Sequence, residues 1–133
     1  MTEKLYFSIK ELCHSDTAKQ YGIDNTPTTI EQIDNMMKLI HYVLQPLRIK
    51  LGKPVRVPSG YRCPLLNNRV GGVRNSQHLT GQAADIVVDG VPLKTLWEYI
   101  KNSNIEYDQL ILEKGCVHVS YSPQHNRLQA FKQ

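Results

Sequence analysis

Two histidines and one aspartate are the residues of this sequence best suited to chemistry. In Ser76-Gln77-His78-Leu79-Thr80-Gly81-Gln82-Ala83-Ala84-Asp85 an imidazole and a carboxylate stand seven residues apart, with a glycine turn between them. Asp85 opens the apolar run Ile86-Val87-Val88, which predicts a buried strand. A second apolar run, Val117-His118-Val119, carries another histidine at its centre. Two imidazoles and one carboxylate suit Zn²⁺ in a site with three protein ligands and one position open to water. Zinc brings the pKa of such a water to about 7, which makes hydroxide available at neutral pH for attack on a carbonyl. The His–x6–Asp spacing alone recurs by chance in many chains, so the reading depends on elements that could bring the three side chains together.

The hairpin expected around His118 supplies one such element. Residues 107–113 and 116–121 predict two strands joined by the two-residue turn Lys114-Gly115. Counting outward from the turn sets Glu113 opposite Cys116, Leu112 opposite Val117, Ile111 opposite His118 and Gln109 opposite Ser120. Alternation then gives Leu110, Leu112, Val117 and Val119 one apolar face, which must be the core. Gln109, Ile111, Glu113, Cys116, His118 and Ser120 share the other face, which is polar enough to be a site.

A base for the attacking water must lie on the face of His118. Glu113 does, diagonal to it at roughly 5–8 Å between Cβ atoms; Asp108 points to the opposite face. Glu113 is therefore the expected general base, with Asp108 the alternative if a bulge shifts the register by one. Arg62 follows the short strand Pro54–Val57 on the turn Pro58-Ser59-Gly60-Tyr61. Its permanent charge could stabilise an oxyanion or bind a substrate carboxylate. Ser76 and Gln77, beside His78, are candidate substrate hydrogen bonders or supports for the ligand. Cys116 could ligate but reads as a free thiol, and His14, His41 and His125 read as surface or structural residues.

The remaining elements read as packing. Ser8-Ile9-Lys10-Glu11 is a capping box, opening one broken helix or two short ones that stop at Gly22. Thr28 or Thr29 caps the longest helix, whose stripe is Ile30, Ile33, Met37, Ile40, Leu44 and Leu47; Pro46 kinks it and Gly52 closes it. Leu65–Val70 predicts a single helical turn ended by Gly71-Gly72, a pair that lets the backbone turn sharply or come close to something. Pro92 starts a further helix with Leu93, Leu96, Trp97 and Ile100 facing inward.

A chain of 133 residues, 41% of them apolar, suits one compact domain over 1–133 that needs no disulfide framework. Cys13, Cys63 and Cys116 are an odd number without metal-ligand pair spacing. No run approaches the roughly 18 apolar residues of a membrane span, so no membrane insertion is expected. Sixteen Lys and Arg against twelve Asp and Glu give a net charge of +4. That excess is spread along the chain, without the basic stripe and interleaved aromatics of a nucleic-acid binder. It would suit an anionic polymer such as bacterial cell wall. Residues 1–8 lack an apolar signal core, so cytoplasmic synthesis is the expectation.

Taken together, Ser59-Gly60-Tyr61-Arg62, Leu66-Asn67, Val70-Gly71-Gly72, Ser76-Gln77-His78, Gly81-x-Ala83-Ala84-Asp85-Ile86, Tyr107-Asp108-Gln109-Leu110-Ile111 and Val117-His118-Val119-Ser120 resemble the M15 peptidases. These are the zinc D-Ala-D-Ala carboxypeptidases and related phage cell-wall endopeptidases, similar in fold to the Hedgehog signalling domain. The resemblance covers most of the chain and is greatest to a compact subfamily of phages and bacteria. It implies an α+β fold, with helices packed on a small antiparallel sheet and zinc in a cleft on that sheet. By position it implies His78, Asp85 and His118 as zinc ligands and Arg62 as the arginine ahead of the metal motif. Many relatives place their acidic base three residues before the last histidine, where this chain has Gly115, so Glu113 takes that role here. They also often carry a tryptophan just ahead of that histidine, where this chain has Cys116-Val117, which opens the cleft. The expected activity is hydrolysis of peptidoglycan stem or cross-link peptides by a monomer acting at the wall, as for a phage lysin released through a pore. The alternative is an inactive zinc-binding module that recognises wall peptide or a protein partner.

Overall fold

The computed structural model describes residues 4–133. Met1–Glu3, part of the segment read for a signal core, lie outside the described residues. Five strands among them form one sheet in the order β1-β2-β4-β3-β5: β1 (Arg56–Ser59), β2 (Ala83–Val87), β3 (Gln109–Glu113), β4 (Cys116–Ser120) and β5 (Gln129–Lys132). The β3–β4 hairpin has the counted register: Glu113 faces Cys116, Leu112 faces Val117 and Ile111 faces His118. Gly115 makes the tight turn possible, since its φ of 100° is one that L side chains rarely adopt. β2 lies antiparallel on the far side of β4 and pairs Asp85 directly with His118. β1 completes the antiparallel part, with Ser59 opposite Asp85.

One edge departs from the antiparallel expectation. β5 runs parallel to β3, pairing Gln109 with Gln129 and Ile111 with Phe131. Its sequence, Gln-Ala-Phe-Lys, is too short to show alternation, and its backbone partner lies some twenty residues upstream. No local pattern announces it.

The helices are α1 (Ile9–Cys13), α2 (Asp16–Tyr21), α3 (Ile30–Leu39), α4 (Gln45–Leu51), α5 (Pro64–Arg69) and α6 (Leu93–Lys101). Ser8 and Ser15 cap α1 and α2, and Gly22 ends α2 in the left-handed region. Thr29 and Gln32 form a reciprocal capping box at the start of α3. Between α3 and α4 the backbone widens into a π turn over Ile40–Leu44, two residues ahead of Pro46 in α4. Pro46 has no N–H to continue the ladder, and the wider turn accommodates it without breaking the rod.

The buried stripe of this rod differs from the one expected. Met36, Leu39, Ile40, Val43, Leu44 and Leu47 are buried, whereas Ile30, Ile33 and Met37 are exposed, Ile30 at 83%. Ile40, Leu44 and Leu47 are buried as expected; in the first half of the rod both sets satisfy a three-to-four-residue spacing, and the helix turns Met36 and Leu39 into the core. Leu96, Trp97 and Ile100 of α6 face inward as expected, against Leu110, Val117 and Val119 on the apolar face of the hairpin. Trp97 Nε1 also donates to the carbonyl of Leu110 at 3.1 Å, so its one polar group is satisfied in the core. The opposite face of the sheet is left for the polar residues.

Candidate metal centre

His78 sits on a single 3₁₀ turn, Gln77–Thr80, capped by Ser76 Oγ, which accepts from His78 N at 3.1 Å. Gly81 ends the turn with φ 78°, and a Cβ there would lie 2.5 Å from the carbonyl oxygen of Gln32. The turn therefore rests directly on α3, and Asn35 Nδ2 clamps it by donating to Thr80 O at 2.9 Å. That bond explains why a polar side chain is buried on the inner face of α3.

Behind the imidazole, His78 Nδ1 lies 2.7 Å from the carbonyl oxygen of Gly60. A carbonyl only accepts, so Nδ1 carries the proton and Nε2 presents its lone pair forward. His78 Nε2 is 3.3 Å from Asp85 Oδ1, and His118 Nδ1 is 3.2 Å from the same oxygen. All three donor atoms lie within 4.8 Å of one another, and all three residues are buried. A tetrahedral zinc with bonds of 2.0–2.1 Å has donor–donor edges of about 3.3 Å. The two distances to Asp85 Oδ1 match that spacing, and the donor set is one zinc accepts, so these residues fit the ion. Burial favours the neutral form of Asp85, but hydrogen bonds and charge from His118 and His78 outweigh it and hold the carboxyl well below the usual carboxylate range.

Arg62 supports the carboxylate from the other side. Its Nη2 donates to Asp85 Oδ2 at 3.2 Å, Nε to Ser59 Oγ at 3.0 Å and Nη1 to Asn67 Oδ1 at 3.1 Å. Oδ2 is thereby engaged and Oδ1 is turned to the two imidazoles. Asn67 is itself fixed, donating from Nδ2 to Val73 O at 2.9 Å. Gly72 passes so close that a Cβ would lie 2.0 Å from Asn67 Oδ1 and 2.9 Å from Arg62 Nη1. The glycine pair therefore allows a close approach to the asparagine that holds the arginine.

A cleft of roughly 450 Å³ opens over these residues, walled by Val70–Val73 on one side and by Gln109, Ile111 and Glu113 of β3 on the other. Glu113 lines it, and its carboxylate oxygen lies within 4.8 Å of ligand atoms of Asp85 and Cys116. Cys116 Sγ is 3.5 Å from Glu113 Oε1. Burial, together with the negative charges of Asp85 and Glu113, pushes that thiol far up, so it is a poor ligand.

Asp108 is placed differently. It precedes β3, so strand alternation does not govern it, and its carboxylate turns to two residues of the cleft wall. Arg127 binds it through N, Nε and Nη2 at 2.8–3.0 Å, and Gln77 Nε2 donates to it at 2.8 Å. The hydrogen bond from Arg127 holds its pKa down at about 2. Arg127 and the Gly60 carbonyl are site residues that the sequence did not flag. Neither a lone arginine in a loop nor a main-chain oxygen leaves a pattern to read.

The chain matches the family described as Peptidase M15 over residues 5–120. A 44-residue stretch, 32% of this chain, is 46% identical to the zinc D-Ala-D-Ala carboxypeptidase of Streptomyces albus G. That stretch spans 17% of the relative's own length. The family match runs from the approach to α1 to the end of β4 and takes in His78, Asp85 and His118, so this chain belongs to the peptidase M15 family.

Proposed function

We propose that this chain hydrolyses peptide bonds in bacterial peptidoglycan stem or cross-link peptides, with zinc held by His78, Asp85 and His118. The observation that carries the reading is the convergence of those three buried donors at the floor of an open cleft. The relative from Streptomyces albus G, named for D-Ala-D-Ala carboxypeptidase activity, supports the choice of substrate. Bound zinc would supply Lewis acidity, lowering the pKa of a water and polarising the scissile carbonyl.

The chain's own residues do the rest. Gly60 fixes the tautomer and orientation of His78, and Arg62 fixes Asp85. Glu113, in the cleft wall, accepts the proton of the attacking water and delivers it to the leaving amine. Asp108 is engaged by Arg127 and Gln77, which supports assigning that role to Glu113. Arg62 keeps its charge at the cleft wall, where it favours the negative charge that builds on the carbonyl oxygen. No helix among the described residues is long and apolar enough to cross a membrane; the substrate places the reaction at the wall.

Digestion of purified muropeptides with and without a chelator tests the reading, and chelator-sensitive release of a peptide fragment is expected. Glu113→Gln should keep bound zinc while losing roughly a hundredfold or more in kcat. No chelator-sensitive cleavage of any wall peptide would leave a zinc-binding recognition module. Wild-type turnover by the Gln variant would remove Glu113 from the mechanism.

A further inference from the structure

Arg127 lies beyond the residues matched by the family, yet it lines the same cleft. Its guanidinium is held by a fork: Nε donates to Asp108 Oδ1 and Nη2 to Asp108 Oδ2, both at 2.8 Å. Asp108 takes the side edge of the guanidinium. The end edge, formed by Nη1 and the second N–H of Nη2, has no partner among the described residues. A planar fork presents that edge at the spacing of a second carboxylate.

The backbone around Arg127 is fixed as firmly. Arg127 N donates to Asp108 Oδ1, Leu128 N to Tyr107 O and Gln129 N to Asp108 O. Leu128 adopts φ 51°, a left-handed conformation that costs a non-glycine residue energy and that these anchors maintain. Beside the guanidinium, Gln77 Nε2 donates to Asp108 Oδ2, while its own Oε1 is buried and accepts no hydrogen bond from the described residues. Arg127, with its open end edge, and Gln77 thus both line the cleft, and an edge of that kind matches a carboxylate.

We infer that Arg127 and Gln77 form a specificity subsite for a peptide carboxylate some two to three residues from the bond that is cut. This rests on the peptidase reading above. The distance follows from β3: Asp108, which holds Arg127, precedes Ile111, the partner of His118, by three residues, about 10 Å along a strand. An extended peptide covers that span in about three residues. The terminal carboxylate of a residue released next to the metal would fall short of it. In a wall stem peptide, the carboxylate at the right remove from the D-Ala-D-Ala bond is the free α-carboxyl of the γ-linked glutamate.

Binding of the pentapeptide L-Ala-γ-D-Glu-L-Lys-D-Ala-D-Ala to zinc-loaded Glu113→Gln protein, measured by calorimetry, tests this. The free-acid form should bind roughly tenfold or more tighter than the form amidated at the glutamate α-carboxyl. Adding Arg127→Gln should erase that ratio by weakening the acid form alone. In the otherwise wild-type enzyme the same substitution should raise KM for the acid substrate with kcat little changed. Equal binding of the acid and amide forms to protein that retains Arg127 overturns the inference and leaves the peptidase reading standing, even if the Gln variant does not fold. Failure of both peptides to bind overturns both.

Discussion

Gly72→Ala offers a clean test of how the metal centre is supported, because Gly72 does not have a positive φ and alanine brings no backbone strain. The added methyl would lie 2.0 Å from Asn67 Oδ1, so one of the two must move by more than an ångström. Asn67 is buried and spends its amide on two bonds, accepting from Arg62 and donating to Val73 O. Displacing it breaks a neutral bond worth about 1 kcal/mol and a charge-assisted one worth about 1.5–3 kcal/mol. The expected loss of stability is thus about 2.5–4 kcal/mol, or roughly 9–14 °C in Tm for a chain of this length. Arg62, freed on one side, should hold Asp85 less firmly, so zinc affinity should fall as well. Scanning calorimetry and a zinc titration read the two effects. In an Asn67→Ala background the closest clash is gone and only the 2.9 Å approach to Arg62 Nη1 remains, so the same glycine substitution should cost clearly less than in the wild-type background. A Gly72→Ala protein with unchanged Tm and zinc affinity, or an equal penalty in both backgrounds, would refute the steric argument.

Other outcomes follow from the same contacts. Asp108 has its pKa depressed to about 2, so the stability it contributes is complete above the unfolded value near 3.9 and is lost as pH falls through 2. With Arg127 half exposed and its charge screened, that amounts to about 1 kcal/mol; acid denaturation of wild type and Asp108→Asn should converge below pH 2. Zinc at a hundredfold its Kd should stabilise the fold by about 2.7 kcal/mol and EDTA should reverse this, whereas His118→Ala should abolish the response in a thermal melt. Leu39→Ala, at a fully buried position, should cost about 2–5 kcal/mol. Ile33→Ala, in the exposed turn of α3, should cost under about 0.5 kcal/mol by urea denaturation.

The parts of the fold that could be read from the sequence are those where local counting is decisive. A two-residue turn at Lys114-Gly115 leaves one way to pair the strands that flank it. The face shared by Glu113 and His118 followed from that, whereas Asp108, expected on the opposite face, turns its carboxylate to Gln77 and Arg127 of the cleft wall. The donor-bearing triplet was visible because its residue types are costly to bury without a purpose. The first half of the long helix's stripe was not decided, since Ile30, Ile33 and Met37 are spaced as regularly as Met36 and Leu39, whereas Ile40, Leu44 and Leu47 are buried as expected. β5, the Gly60 carbonyl behind His78 and the pairing of Asp108 with Arg127 all join segments distant in sequence through single contacts. No periodicity records such contacts.

Asp85 and His118 are neighbours across β2 and β4, thirty-three residues apart in the chain, and both point to the same side of the sheet. If the two strands paired one position out of step, one of these side chains would turn to the opposite side. A cation gripped by both therefore has affinity only for the correctly aligned chain. Its binding energy would be withheld from every misaligned arrangement, so a bound ion would act as a proofreader of folding, favouring the one assembly that brings both donors together.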